Sequence, residues 1–147
     1  MVEKKSKKKV TKKTKTSVYT GKRKKAVARA RIQEGKGKVT VNSVPLDIWG
    51  TEMLRLWIKE PLILAGNLSE GVDIVVNMNG GGMTAQAEAA RISIARGLVG
   101  HYKDKQLKEK FINYDRNLLV FDSRRTEPHK PSRSKKGARR HKQRSKR

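Results

Sequence analysis

A chain of 147 residues with 37 lysines and arginines against 13 acids carries a formal net charge of +24, and it has room for one domain with tails but not for two ordinary domains. Self-repulsion on that scale opposes compaction unless a polyanion neutralises it, and nucleic acid is the commonest such partner. No apolar run approaches the roughly 18 residues of a spanning helix, the first lysines lead into no signal-peptide core, and the absence of cysteine excludes disulfides and thiolate metal sites.

The charge is unevenly placed. Residues 1–17 carry +7, residues 18–31 carry +6, residues 32–122 balance to zero, and residues 123–147 carry +11. The excess therefore lies in two tails and one basic first strand, around an electrically neutral core. Residues 1–17 mix lysine with serine and threonine and bury too little apolar area to offset their ordering entropy, so the segment is expected to be disordered alone.

From Val18 the pattern changes. Ala26, Ala28, Ala30 and Ile32 alternate with Val27, Arg29, Arg31 and Gln33, the period-two signature of a strand with one buried face. Turn residues at 34–37 and a second alternation through Val39 and Val41 make residues 26–42 read as a hairpin. Arg29 and Arg31 share the outward face of its first strand, where they can act together on one phosphate track. Pro45 ends the second strand, and Asp47 is placed to cap a helix. Trp49, Met53, Leu56 and Trp57 share one helical face, and this spacing favours packing on the sheet over base stacking. Pro61 suits the first turn of another short helix, with Leu62, Ile63 and Leu64 buried and Gly66 as its end.

Val72, Ile74, Val76 and Met78 alternate as a third strand. Gly80, Gly81 and Gly82 follow, then Thr84 as a cap for a helix from 85 to about 102, whose core stripe is Ala87, Ala90, Ile94, Gly97 and Leu98. Asp104 to Asn113 reads as an amphipathic helix with Leu107 and Phe111 inward, and Leu118 to Phe121 as the last strand. After Asp122 the apolar residues almost vanish, and Pro128, Pro131 and Gly137 disfavour a helix. An extended arm of that length reaches up to ~80 Å at ~3.3 Å per residue.

Chemistry of other kinds finds little support. His101, His129 and His141 lack the acidic or cysteine companions of a metal site. No constellation suggests covalent or acid–base catalysis. The glycine triplet lacks the lysine of a nucleotide-phosphate loop; it reads first as a tight turn requiring positive φ, and second as an RNA backbone contact. The basic positions remain: Lys22, Arg23, Lys24, Lys25, Arg29 and Arg31 at the front, and Arg124, Arg125, Lys130, Arg133, Lys135, Lys136, Arg139 and Arg140 in the C-terminal arm. Such residues neutralise phosphates and release counterions, and arginine also stacks on unpaired bases. Glycine, serine and proline between them suit irregular folded RNA better than a uniform DNA groove.

Several motifs occur in order: YTGKRKKAVARA at 19–30, GKG at 35–37 with VN at 41–42, EPL at 60–62, GGGMTAQ at 80–86, DSRRTEP at 122–128, GARR at 137–140, then Gln143 and a terminal Arg147. Together they resemble the small-subunit ribosomal protein nine family, and the Glu127–Pro128 element resembles its archaeal and eukaryotic branch. The resemblance spans 19–147. It implies a non-enzymatic α+β fold like the second domain of small-subunit ribosomal protein five, with a small mixed sheet, packed helices and extended basic arms. It also implies a cytoplasmic place in the head of the small ribosomal subunit, contacting ribosomal RNA and neighbouring head proteins. The arm's end (Gln143, Arg144, Ser145, Lys146 and Arg147) would then approach peptidyl-site transfer RNA. No cofactor, metal, membrane or small-molecule substrate is implied. The chain divides as 1–17, a docking core 18–122, and an arm 123–147. The alternative is a general nucleic-acid-binding or chaperone protein outside the ribosome.

Overall fold

Alternation of small apolar and polar residues builds the sheet. In the computed structural model, which describes residues 17–126 together with 128 and 129, β1 (Val18–Arg23) and β2 (Ala26–Glu34) form an antiparallel hairpin closed by Lys24 and Lys25. Ala26, Ala28, Ala30 and Ile32 are buried, and Arg29 and Arg31 are exposed. β3 (Val39–Val41) and β4 (Val44–Pro45) pair with each other, and β5 (Val72–Asn79) lies between β2 and β3, antiparallel to the first and parallel to the second. The strand order is β1-β2-β5-β3-β4.

The expected hairpin over 26–42 is therefore open, with β5 inserted between its arms. Residues 35–38 cross the start of β5 and are held there: Gly35 N donates to Gly71 O at 3.0 Å, and the Asp73 carboxylate accepts from Lys36 N and Lys38 N at 2.9 Å each. Those two bonds keep the Asp73 carboxyl below its usual range. Alternation had identified each strand's buried face, which says nothing about its neighbour. The hairpin that does form comes earlier. Lys24 at its tip takes φ 52°, a left-handed conformation usually signalled by glycine or asparagine.

Helices cover one side of the sheet. α1 (Glu52–Ala65), the short α2 (Asn67–Glu70), α3 (Met83–Tyr102) and α4 (Lys105–Tyr114) are followed by a 3₁₀ turn (Arg116–Leu118). α3 lies against β1 and β2, and α1 lies against α3. The approach is close: a Cβ on Gly21 would stand 2.1 Å from Ala89 O. The stripe Ala87, Ala90, Ile94, Gly97 and Leu98 is buried, as are Leu107 and Phe111 of α4. Asp104 caps α4 by accepting from Gln106 N at 2.9 Å, and Gly66 ends α1 at φ 56°. The α+β architecture is the one expected.

Five local expectations are corrected. Thr51, not Asp47, occupies the N-cap of α1, and Asp47 instead receives Lys59 Nζ at 2.6 Å. α1 buries Leu54, Ile58, Pro61 and Ala65, while Met53, Leu56 and Trp57 are 67%, 56% and 37% exposed, and Trp49 precedes the helix. The segment is apolar on nearly every side, so periodicity alone could not choose the stripe that α3 would cover. Pro61 lies inside this single helix rather than opening a second. It leaves the Trp57 carbonyl without the usual i+4 donor, and Ile63 beyond it is 72% exposed. Thr84 sits within α3, whose N-cap is Gly82 without a side-chain bond. Finally, 118–121 forms no strand. Leu118 is buried at the end of a 3₁₀ turn whose backbone bonds run to Asp115, whereas Val120 and Phe121 are exposed. The expectations for residues 1–16, 127 and 130–147 lie outside the described residues.

Candidate RNA interface

Among the described residues the helices lie on one side and leave the other side of the sheet open, and the register specifies what faces outward. Cross-strand partners share a face. Arg29 lies between Thr20 on β1 and Asn77 on β5; Arg31 lies between Val18 and Val75, with Thr40 of β3 next in that row. Lys22 and Asn79 flank Val27 in the adjacent row. Arg29 and Arg31 are two residues apart on one strand, so their Cα atoms are separated by about 6.6 Å along it. Among the described residues neither forms an ion pair. None of these three rows contains an acid. Asp73, one row further on, is already bonded to the 35–38 loop.

The surface is thus cationic with amides and hydroxyls around it, and it lacks aromatic rings. Tyr19 stands on the helix side, its ring over Gly97 and Gly100. Such a face suits phosphate and sugar contacts rather than base stacking. Asn77, Asn79, Thr20 and Thr40 belong to it but were not singled out from the sequence. Their alternation with the inward-facing residues of β5, β1 and β3 was the available signal.

Lys24 and Lys25 extend the face at the hairpin tip, and both are exposed. Beside them runs the glycine turn. Gly80 and Gly81 take φ of 75° and 68°. A Cβ on Gly80 would meet Lys25 O at 2.7 Å, and one on Gly81 would meet Ala26 N at 3.0 Å. The tight-turn reading of the triplet therefore fits both positions. The turn brings the start of α3, which has neither a side-chain cap nor an acid in its first turn, beside the lysine tip.

Arg23 is placed differently. It pairs with Ala26, so its side chain lies on the helix side, where its Nε bonds Glu88 on α3 and its Nη1 is 3.2 Å from Asp122. Arg124 forks onto the same Asp122, and this pairing pulls the Asp122 carboxyl down to about 2. Arg125 is exposed. Lys130, Arg133, Lys135, Lys136, Arg139, Arg140 and the tip from Gln143 to Arg147 lie outside the described residues.

Among the described residues no cluster could hold a metal ion. His101 packs edge-on against Tyr102, ring centroids 5.0 Å apart, and His141 lies outside the described residues. Trp57 lines a shallow apolar depression of about 350 Å³ with Leu56, Ile63, Leu64, Tyr114 and Glu60, and among the described residues its lining includes no cation that would draw a nucleic-acid strand to the ring.

Residues 21–147 match the family described as ribosomal protein S9/S16. The chain is also 44% identical over 125 residues to the small ribosomal subunit protein uS9 of Methanococcus maripaludis, strains C7 and C5, and of Methanococcus vannielii. Each alignment covers 85% of this chain and 93% of the relative.

Proposed function

This chain belongs to the ribosomal protein S9/S16 family, and from that premise we propose that its open sheet face and basic arms hold ribosomal RNA of the subunit head while the tip of its C-terminal arm contacts peptidyl-site transfer RNA. Its role in the small ribosomal subunit is structural and non-enzymatic, and its place is the cytoplasmic ribosome. The division proposed is a docking core over 18–122 between basic arms at 1–17 and 123–147. The observation that carries the reading is the three acid-free rows of the open face, on which Arg29 and Arg31 stand exposed and unpaired among the described residues. Counterion release gives such a face affinity, and its rigid strands give the contact a fixed register.

In this reading Lys22, Lys24 and Lys25 meet phosphates beside the arginines, and Asn77 and Asn79 bond sugar or phosphate oxygens. Arg124, Arg125, Lys130, Arg133, Lys135, Lys136, Arg139 and Arg140 neutralise RNA along the arm. Gln143, Arg144, Ser145, Lys146 and Arg147 steady the transfer RNA, and neighbouring head proteins complete the surroundings. Lysine acylation read by mass spectrometry tests the face directly. Lys22, Lys24 and Lys25 should react in the free protein and be protected in the small subunit; equal reactivity in both states refutes the assignment. Deleting 143–147 should weaken peptidyl-site transfer RNA binding without blocking assembly, and normal retention by truncated subunits refutes the tip's role.

A further inference from the structure

Leu118 is the last fully buried side chain along the described part of the chain. Beyond it Leu119 packs only partly, and Val120 and Phe121 face solvent. Asp122 is held by charge instead. Its Oδ2 lies 3.2 Å from Arg23 Nη1 at the end of β1, and Arg23 Nε donates to Glu88 on α3. The same carboxylate also folds the chain back on itself. Oδ1 accepts from the Arg124 backbone N–H at 2.8 Å, and Oδ2 receives Arg124 Nε at 2.7 Å and Nη2 at 2.5 Å. The side chains of Arg23 and Asp122 are only 14% and 18% exposed, against 81% for Arg124. The inner pair is therefore shielded from solvent, and Arg124 closes the knot from outside.

Two carboxylates at the root of a cationic arm lower the positive potential where a polyanion would be attracted. Attraction does not account for them, but geometry does. The knot ties three parts together: the edge strand β1, the helix α3 and the chain just past its last buried anchor. A chain whose root is fixed in direction samples fewer orientations than one whose root pivots, and it loses less entropy when its far end binds.

We propose that Arg23, Glu88 and Asp122 are positioning residues for the C-terminal arm, fixing the direction in which the chain leaves the core and so raising the concentration of the arm at its RNA target. The effect on transfer RNA rests on the reading of the arm's tip given above; the fixed root does not. The proposal predicts a sign that electrostatics alone would not. Asp122→Asn removes a negative charge, which by itself tightens RNA binding. If Asp122 positions the arm, the same substitution weakens the tip's contact.

The cysteine-free chain admits spin labels at Glu109→Cys on α4 and Thr126→Cys beyond the knot. In the full-length protein the distance distribution between them should be narrow. It should widen about twofold in Asp122→Asn and in Glu88→Gln, and stay narrow in Asp122→Glu, which keeps the charge. An unchanged distribution in Asp122→Asn overturns the proposal. In small subunits Asp122→Asn should weaken peptidyl-site transfer RNA retention about threefold, and it should add no loss in subunits that already lack 143–147. If the deletion weakens transfer RNA while Asp122→Asn leaves it unchanged or tightens it, the positioning role is wrong and the tip reading stands. If the distribution widens but neither variant affects transfer RNA, the tip reading fails and the fixed root stands.

Discussion

Arg23 and Arg29 lie on one β-hairpin, yet the sheet gives them opposite fates. Arg29, opposite Thr20, faces outward and meets no acid among the described residues; Arg23, opposite Ala26, turns to the helix side and meets Glu88 and Asp122. The two-residue turn at Lys24 and Lys25 sets that difference, because it fixes which residues of β1 share a face with which residues of β2. A basic residue is therefore left exposed on the open face or held as a structural cation according to its place in the register. Net charge counts both alike.

The comparison is broken most severely at Gly21. A Cβ there would meet Ala89 O at 2.1 Å and Ser93 N at 2.7 Å, both backbone atoms. Gly21→Ala forces α3 away from β1 and should destabilise the protein by about 3 kcal/mol in chemical denaturation. Because α3 carries Glu88, the Arg23 knot should loosen with it. A near-neutral result would mean that the strand and helix are not in such close contact.

A smaller effect is expected at Arg23 itself. Arg23→Gln leaves Glu88 and Asp122 facing each other without their shared cation, and the unfolding midpoint should fall by a few degrees. Arg29→Gln, on an open surface, should leave the midpoint almost unmoved. Equal midpoints for the two variants would erase the distinction between them.

The smallest effect is on titration. The Asp122 carboxyl is lowered from 3.8 to about 2, first by the Arg124 hydrogen bonds and then by the charges of Arg124 and Arg23. A depressed carboxyl contributes stability that is present above its unfolded value and lost as the pH falls through its folded value. The knot should therefore hold unchanged through neutral pH and release only between about pH 4 and pH 2. Carbon-detected NMR of Asp122 should show a midpoint near the lower figure; an ordinary aspartate midpoint would mean that the knot does not form in solution.

How far the fold was legible follows from the range of the forces involved. The buried faces of β2 and β5, the stripe on α3 and the positive φ at Gly80 and Gly81 each arise within a few residues, and each was visible in sequence. The insertion of β5 between β2 and β3 joins residues far apart in the chain, as do the Asp73 bonds to the 35–38 loop, and alternation carries no trace of that. The stripe of α1 was misread because large apolar residues occupy most of its circumference, and only the surface of α3 decides among them. On the candidate face Arg29 and Arg31 were readable from period two. Asn77 and Asn79 needed the pairing of β5 with β2. Arg23 looked like its neighbours because its partners, Glu88 and Asp122, come together only in the fold.

The most direct test of the account is the salt dependence of binding to small-subunit ribosomal RNA by the full-length chain. If Arg29 and Arg31 each neutralise a phosphate, replacing both with glutamine should reduce the slope of log affinity against log salt by roughly 2, while Arg23→Gln leaves the slope unchanged. A double variant that keeps the wild-type slope, or an Arg23 variant that loses as much as the double variant, would contradict the division of cations between the open face and the knot.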